Sequence, residues 1–230
     1  MHVPLVPRPS LIGRVPITPR ERCLALGAGG AFATYLLMVL WVETSSVAVD
    51  EAVRGLVHAV ASPLLHGPME AVSRLGRAEG VIALIALGSA GLWRYDRCSA
   101  MVLPALMAGS GALQFIAKWV VDRPRPDLTP WGFPSGHVLS LVVFFGFLAD
   151  VIHRSEIKLR WRRIAAVLCA VPVVAVAYSR LYLDRHWLTD VAGGFSIGLA
   201  YLLCVVLIIE WARAQRAEGE AAAIGPHSAL

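Results

Sequence analysis

The chain has 230 residues, of which 57% are hydrophobic and 16% are charged, and it carries a formal net charge of +5 at pH 7. Ordinary soluble domains have about 25% charged residues and no uncharged apolar runs of about 20 residues. The composition therefore excludes an ordinary soluble domain and indicates a helical integral membrane protein. No nucleic-acid partner is predicted, because most basic residues stand in short segments between apolar runs, where they set membrane orientation.

The amino-terminal region divides into a tail and a first span. Residues 1–22 contain four arginines and several prolines, which predicts a basic cytoplasmic tail. Residues 23–42 contain no charged side chain and are long enough to cross the hydrocarbon core, which needs about 20 apolar residues. A cleaved signal peptide would have a shorter apolar core of about 7–15 residues, so a retained first span is favoured.

The next segment, residues 44–79, mixes apolar and polar positions. Apolar residues recur at helical spacing from Val49 to Leu64, while Asp50, Glu51 and Arg54 fall on the other side. This pattern predicts an amphipathic helix that lies in the membrane interface between the first and second spans.

Five further apolar runs predict five further spans, at residues 81–93, 99–121, 138–152, 164–178 and 191–209. The run at 81–93 is short and has to borrow residues from its flanks. With six crossings, the most basic segments fall on one side, which predicts that both termini are cytoplasmic. The predicted fold is an all-α, six-transmembrane-helix bundle, with residues 23–212 as one domain and residues 213–230 as a disordered cytoplasmic tail.

Two polar stretches are predicted to meet at the non-cytoplasmic face. Residues 118–137 join the third and fourth spans, and residues 179–190 join the fifth and sixth spans. The second stretch follows two crossings after the first and therefore returns to the same side of the membrane. Each stretch contributes different side chains to a common site.

The second stretch contains a histidine and a carboxylate four residues apart, His186 and Asp190. This spacing places two side chains on one face of a helix, within contact distance. A carboxylate bonded to one imidazole nitrogen fixes the tautomer and leaves the other nitrogen available as a base or nucleophile. The alternative is a carboxylate at a helix start beside a histidine that anchors at the interface.

Three cationic side chains are predicted to surround a tetrahedral anion: Lys118, Arg125 and Arg180. Arginine offers a planar fork to phosphate oxygens, and lysine offers a point charge. The Ser135-Gly136 pair precedes the fourth span, so backbone N–H groups at a helix start would add donors. The alternative for each cation is an anchor to lipid headgroups, and the alternative for His137 is an interfacial residue without a catalytic role. The occurrence of all of them on one face favours one phosphate site.

The three motifs resemble the signature of the type 2 phosphatidic acid phosphatase superfamily, which includes membrane lipid phosphate phosphatases. The resemblance is carried by Lys118-x6-Arg125-Pro126, Pro134-Ser135-Gly136-His137 and Ser179-Arg180-x5-His186-x3-Asp190. It implies that His186 is the nucleophile that forms a phosphohistidine, that Asp190 orients it and that His137 is the general acid. It also implies a phosphate-binding set of Lys118, Arg125, Ser135, Gly136 and Arg180.

The resemblance implies chemistry without a cofactor or a metal ion. The sequence agrees, because Asp122, Asp127, Asp184 and Asp190 form no evident carboxylate cage. The predicted function is hydrolysis of a lipid phosphate or pyrophosphate at the outer face of a bacterial-type inner membrane. Undecaprenyl pyrophosphate is the first candidate substrate, followed by phosphatidic acid, phosphatidylglycerophosphate and diacylglycerol pyrophosphate.

Two other functions remain open at this point. A phosphotransferase would pass the phosphoryl group from the same histidine to another lipid. An anion transporter would use the same cationic pocket, although the paired repeats and broken helices that are common in transporters are not evident in this sequence. The sequence makes no prediction about the oligomeric state.

Overall fold

A computed structural model describes residues 17–44 and 47–224 of the chain. This part of the chain contains eight α-helices, a short 3₁₀ turn at Arg74–Gly76 and no β-strand. The helices are α1 (Pro19–Thr44), α2 (Val47–Ala59), α3 (Pro63–Ser73), α4 (Ala78–Leu92), α5 (Arg97–Val120), α6 (Gly136–Arg154), α7 (Leu159–Tyr182) and α8 (Leu188–Ile224).

Five of these helices are long and apolar enough to cross a membrane: α1, α5, α6, α7 and α8. Helix α4 has only 15 residues, or about 22 Å, and falls short of a hydrocarbon core of about 30 Å. The pair formed by Pro63–Gly76 and Ala78–Leu92 counts as a sixth crossing if its 59° bend is accepted within one span. The predicted all-α membrane bundle is thus confirmed, with five or six crossings.

The bend before α4 brings Gly76 and Arg77 close to the predicted site. Arg77 has an extended backbone, with φ −75° and ψ 163°, and separates the 3₁₀ turn from α4. A Cβ at Gly80 would lie 2.3 Å from the carbonyl oxygen of Arg74, and one at Gly76 would lie 2.6 Å from the ring of His137. Both positions therefore require glycine, and the second holds the turn directly against the start of α6.

The predicted interfacial helix is two helices in the structure. Helix α2 ends at Ala59, and Ser62 caps α3 by accepting a hydrogen bond from the backbone N–H of Leu64, with Pro63 in the first helical position. Asp50, which the pattern placed on the polar side of this helix, is not exposed to solvent or headgroups, since its exposed fraction is 1%. Periodicity could not reveal this, because the partners of Asp50 lie far away in the sequence.

Helix α6 lies at the centre of the bundle and packs against α5, α7 and α8. Its fully buried residues are Val138, Leu139, Leu141, Val143 and Phe147. Helix α8 approaches α6 closely at two glycines: a Cβ at Gly194 would lie 2.4 Å from the Ser135 carbonyl oxygen, and one at Gly198 would lie 3.1 Å from that of Leu139. These two contacts fix the depth at which the start of α6 sits beside the start of α8.

Ion pairs tie the helices together at the end of the bundle opposite the predicted site. Arg20 on α1 contacts Asp150 on α6 at 2.7 Å and Glu210 on α8 at 2.8 Å. Arg213 on α8 contacts Asp96, which caps the start of α5, at 3.6 Å. The basic segments that were predicted to share one side of the membrane therefore include residues that meet at one end of the bundle.

Helix α8 continues well beyond its membrane-spanning part. The helix runs to Ile224, so the prediction of disorder is wrong for residues 213–224. This segment is rich in alanine and glutamate, which have high helix propensity and need no new nucleus when they extend an existing helix. Residues 1–16 of the predicted amino-terminal tail and residues 225–230 lie outside the described part of the chain.

Candidate active site

His186 and Asp190 lie side by side in the structure. His186 Nδ1 and Asp190 Oδ2 are 3.3 Å apart, and the two side chains are 2% and 0% exposed. The expected helical spacing is not the reason for the contact, because His186 precedes α8, which begins at Leu188. Asp190 instead reaches back from the first turn and also accepts a 2.9 Å hydrogen bond from the backbone N–H of Trp187, as a helix-capping carboxylate does.

Burial sets the protonation state of His186. Loss of solvent lowers the pKa of its imidazole from 6.5 to about 4, although the hydrogen bond and the charge of Asp190 raise the pKa in part. The positive charges of Arg180 and Lys118 lower the pKa further. The imidazole is therefore neutral near pH 7. A proton on Nδ1, facing Asp190, leaves the lone pair on Nε2 for an incoming electrophile.

A cavity of about 670 Å³ opens beside His186. The predicted site residues that line it are Lys118, Arg125, Gly136, His137 and His186. Arg180 and Ser135 are buried just behind this group, at 7% and 0% exposure. The structure thus brings the two predicted polar stretches together at one end of the bundle.

Several buried polar atoms in this group have no hydrogen-bond partner. Among the residues that the structure describes, five buried side-chain atoms are in this condition, and four of them belong to predicted site residues: Arg125 Nε, Ser135 Oγ, His137 Nε2 and Arg180 Nε. A buried donor without an acceptor costs about 1–3 kcal/mol. The oxygens of a bound phosphoryl group would supply the missing acceptors.

Lys118 contacts the loop that lines the cavity, and the start of α6 contacts the start of α8. The Lys118 ammonium donates a hydrogen bond to the carbonyl oxygen of Trp131, a residue in the left-handed region with φ 65°. The Ser135 N–H was predicted to be available to phosphate, but it donates to the Asp190 carbonyl oxygen at 2.9 Å. The following N–H groups belong to the first turn of α6 and have no intrahelical acceptor, so they remain suitable donors for an anion.

Arg180 is positioned by a residue that the sequence did not single out. Its Nη1 donates a 2.8 Å hydrogen bond to the Ser73 hydroxyl at the end of α3. The segment that follows, with Gly76 and Arg77, lines the same cavity. This segment was predicted only as part of an interfacial region. Its proximity to the site depends on the bend between α3 and α4.

The sequence also did not single out Arg123 and Asp50, which lie on the side of Asp190 away from His186. Arg123 Nη1 donates to Asp190 Oδ1 at 2.9 Å, and Arg123 Nη2 donates to Asp50 Oδ2 at 2.6 Å. Arg123 occupies an unspecified position within the first motif, and Asp50 comes from α2. The amphipathic pattern gave no signal for Asp50, because a buried carboxylate and an exposed one look alike in sequence.

No group of three or more histidine, cysteine, aspartate or glutamate side chains forms a metal-like cluster within residues 17–44 and 47–224. The dominant charged feature of the cavity is instead cationic. Lys118 and Arg125 line the cavity, Arg180 is buried behind it, and exposed Arg77 stands at its edge. Such a site suits a phosphate or another oxyanion.

Known proteins match this chain over most of its length. Residues 99–214 match the family model of the PAP2 superfamily. The chain is 28% identical over 184 residues to phosphatidylglycerophosphatase B of Bacillus subtilis, which covers 76% of this chain and 90% of that protein. It is 30% identical over 93 residues to an undecaprenyl-diphosphatase of Sulfolobus acidocaldarius, which covers 40% of each chain.

Two solved structures share the fold. The first is a transmembrane PAP2-type phosphatidylglycerolphosphate phosphatase from Bacillus subtilis, with a TM-score of 0.71 and 26% identity, covering 80% of this chain and 96% of that chain. The second is LpxE from Aquifex aeolicus, with a TM-score of 0.57 and 18% identity, covering 72% of this chain and 98% of that chain. The second likeness concerns the fold alone.

Proposed function

Since this chain belongs to the PAP2 superfamily and is a lipid phosphate phosphatase, we propose that it hydrolyses its substrate through a phosphohistidine on His186. The observation that carries this proposal is the buried contact of His186 Nδ1 with Asp190, beside a cavity with cationic side chains in and behind its wall. A neutral imidazole held in this way directs its free nitrogen to an electrophile, and the cations stabilise charge on phosphoryl oxygens.

The reaction proceeds in two steps. His186 Nε2 attacks phosphorus, the bond from phosphorus to the leaving oxygen breaks, and His137 gives its proton to that oxygen. Water then attacks the phosphohistidine, His137 takes a proton from the water, and phosphate leaves with His186 neutral again. Lys118, Arg125 and Arg180 bind the phosphoryl oxygens throughout, with Ser135 and the backbone at Gly136 beside them.

A lipid substrate suits the apolar part of the cavity wall. Val81 on α4 and Met107 and Phe115 on α5 line the same cavity as His137 and Lys118. The headgroup would therefore occupy the cationic end, while acyl or prenyl chains remain among apolar side chains and lipid. A volume of about 670 Å³ is within the range of about 300–1,000 Å³ that is usual for small-molecule sites.

The coverage of the relatives supports a different first substrate from the one that the sequence suggested. The relative that aligns over 90% of its length is named for phosphatidylglycerophosphate, whereas the undecaprenyl-diphosphatase aligns over 40%. We therefore propose phosphatidylglycerophosphate as the first candidate. Undecaprenyl pyrophosphate, phosphatidic acid and diacylglycerol pyrophosphate complete the set that should be compared.

Phosphate release from these four lipids by the purified protein in detergent tests the substrate and the nucleophile together. We expect one lipid to be preferred in kcat/KM, and we expect His186→Ala to abolish its turnover. His66→Ala is the matched control, because His66 is an exposed histidine on α3, outside the cavity lining, and its loss should leave turnover intact. Turnover by His186→Ala near the control rate would contradict the proposal.

A phosphotransferase would show the same dependence on His186 but a different product. Adding an acceptor lipid would then convert released phosphate into a newly phosphorylated lipid, which thin-layer chromatography of labelled products detects. An anion transporter would carry phosphate across proteoliposomes in the His186→Ala variant as well as in the wild type. We expect neither transfer to lipid nor flux.

We further propose that the site faces away from the cytoplasm in a bacterial inner membrane. The proposal is supported by the ion-paired basic segments at the opposite end of the bundle, since basic residues favour the cytoplasmic side. In a cysteine-free background, an impermeant maleimide should label Thr129→Cys in intact spheroplasts and Arg160→Cys only after lysis. The reverse pattern would refute this orientation.

A further inference from the structure

We propose that Asp50 and Arg123 are positioning residues for the reaction, because together they hold Asp190 in the orientation that faces His186. The inference rests on the proposed function for the role of His186 as nucleophile. Asp50 lies outside all three motif segments, and Arg123 occupies an unspecified position in the first. Both act through Asp190.

Arg123 fixes one oxygen of Asp190 and thereby aims the other. The Arg123 Nη1 atom donates to Asp190 Oδ1 at 2.9 Å and to the Thr189 hydroxyl at 2.7 Å. Asp190 Oδ2 is left facing His186 Nδ1 at 3.3 Å. Oδ2 also accepts a hydrogen bond from the Trp187 N–H at 2.9 Å. Loss of Arg123 would leave all the remaining contacts on Oδ2, and the carboxylate could then rotate about its terminal bond, which has a broad torsional preference.

Asp50 completes the other side of this arrangement. Its side chain is 0% exposed, and its two oxygens accept hydrogen bonds from the Thr189 N–H at 3.0 Å, the Thr189 hydroxyl at 2.8 Å and Arg123 Nη2 at 2.6 Å. A buried carboxylate is costly unless it is paired and hydrogen-bonded in this way. Helix α2 is thereby joined to the start of α8 directly beside Asp190.

The order of charges gives Asp50 an electrostatic role as well. Asp50, Arg123 and Asp190 form a row of a negative, a positive and a negative charge, with two contacts below 3 Å. When His186 attacks phosphorus, its ring gains positive charge, which Asp190 stabilises. Without the charge of Asp50, Arg123 would offset more of the negative charge of Asp190, and the attacking ring would lose stabilisation.

The alternative is a purely structural role, in which Asp50 only holds α2 in place against the rest of the bundle. The chain offers a matched control for this alternative, because α2 has a second ion pair, between Arg54 Nε and Asp184 Oδ1 at 2.9 Å. Asp184 belongs to the loop before α8, and this pair does not touch Asp190. Breaking it should also loosen α2 and leave the His186–Asp190 contact in place.

The test compares single-turnover hydrolysis of the preferred lipid phosphate, with the detergent-solubilised enzyme in saturating excess. Under these conditions the rate constant reports the chemical step and is insensitive to a fraction of inactive protein. We expect Asp50→Asn and Arg123→Gln to lower this rate constant by about 10- to 100-fold, with little change in the enzyme concentration at half-saturation. Arg54→Gln should lower it by less than about fivefold.

A double variant adds a second criterion. If Asp50 acts through Arg123, the Asp50→Asn/Arg123→Gln protein should be about as slow as Arg123→Gln alone. The inference is overturned if Asp50→Asn keeps the wild-type rate, if Arg54→Gln is as slow as Asp50→Asn, or if the two effects multiply. Should Asp50→Asn fail to fold, Arg123→Lys decides instead: slowing supports the inference, and the wild-type rate overturns it, because lysine cannot bridge both carboxylates.

The same experiment separates this inference from the proposed function. His186→Ala in the wild-type background tests the nucleophile, and its failure to abolish turnover would refute the phosphohistidine mechanism. Loss of turnover in His186→Ala with an unchanged rate in Asp50→Asn would leave that mechanism intact and refute only the positioning role.

Discussion

A methyl group at Gly194 would test how closely the site depends on the packing of α8 against α6. A Cβ at this position would lie 2.4 Å from the carbonyl oxygen of Ser135, whereas ordinary van der Waals contact begins at 3.4 Å. The obstacle is backbone, so it cannot swing aside as a flexible side chain would. Gly194→Ala would therefore displace the Ser135-Gly136-His137 segment by up to the 1.0 Å between these two distances.

The expected consequence is a loss of turnover that exceeds the loss of stability. A displacement of about 1 Å in a reacting group can cost about 100-fold in rate. Overpacking a buried contact costs about 1–3 kcal/mol of stability, which a membrane bundle of this size should survive. We expect kcat for the preferred lipid to fall by about 100-fold in a protein that still elutes as one species and unfolds cooperatively on heating.

Gly198→Ala is the matched control, one turn further along α8. Its Cβ would lie 3.1 Å from the Leu139 carbonyl oxygen, so a shift of a few tenths of an ångström relieves it, and Leu139 does not line the cavity. We expect kcat to fall by less than about fivefold in this variant. The reasoning is refuted if Gly194→Ala keeps kcat within that range, or if both variants lose activity equally.

Three further predictions follow from the site. An excess of EDTA should leave phosphate release unchanged, since cationic side chains occupy the place that metal ions take elsewhere; a loss of activity that Mg²⁺ restores would contradict this. His186 should keep the ¹⁵N shifts of a neutral imidazole from pH 8 to pH 5, because burial lowers its pKa to about 4 and it gains a proton only near and below that value. The signal that disappears in His186→Asn identifies this residue, and titration of that signal near pH 6.5 would contradict the prediction. Ser73→Ala should raise KM by about 3- to 10-fold with kcat retained, because Arg180 loses the acceptor that holds it at 2.8 Å; an unchanged KM in steady-state assays would show that Arg180 needs no such support.

Local patterns were sufficient for much of the architecture. A run of about 20 apolar residues has few alternatives to a membrane-spanning helix, because every backbone polar group must be satisfied within the bilayer. The order of such runs also decides which polar loops share a face. For this reason residues 118–137 and 179–190 could be assigned to one site before any distance was known.

Local patterns failed where distant segments decide the outcome. Asp50 has the periodicity of an exposed position on α2, but its partners Arg123 and Thr189 are 73 and 139 residues away. The bend of 59° before α4 is equally invisible, since it depends on the close approach that Gly80 allows. The continuation of α8 beyond residue 212 was missed for another reason. Composition alone does not say whether a polar segment continues a helix that is already formed.

Hydrophobic run lengths and short motifs are local properties, so they were enough to predict a helical membrane protein in which two polar stretches with cationic side chains share one face. Packing of the bundle was needed to establish which oxygen of Asp190 faces His186 and which contacts hold it there. The contacts of Arg123 and Asp50 join α2, the loop after α5 and the start of α8. Such contacts form only when the whole bundle is packed, so no single segment encodes them.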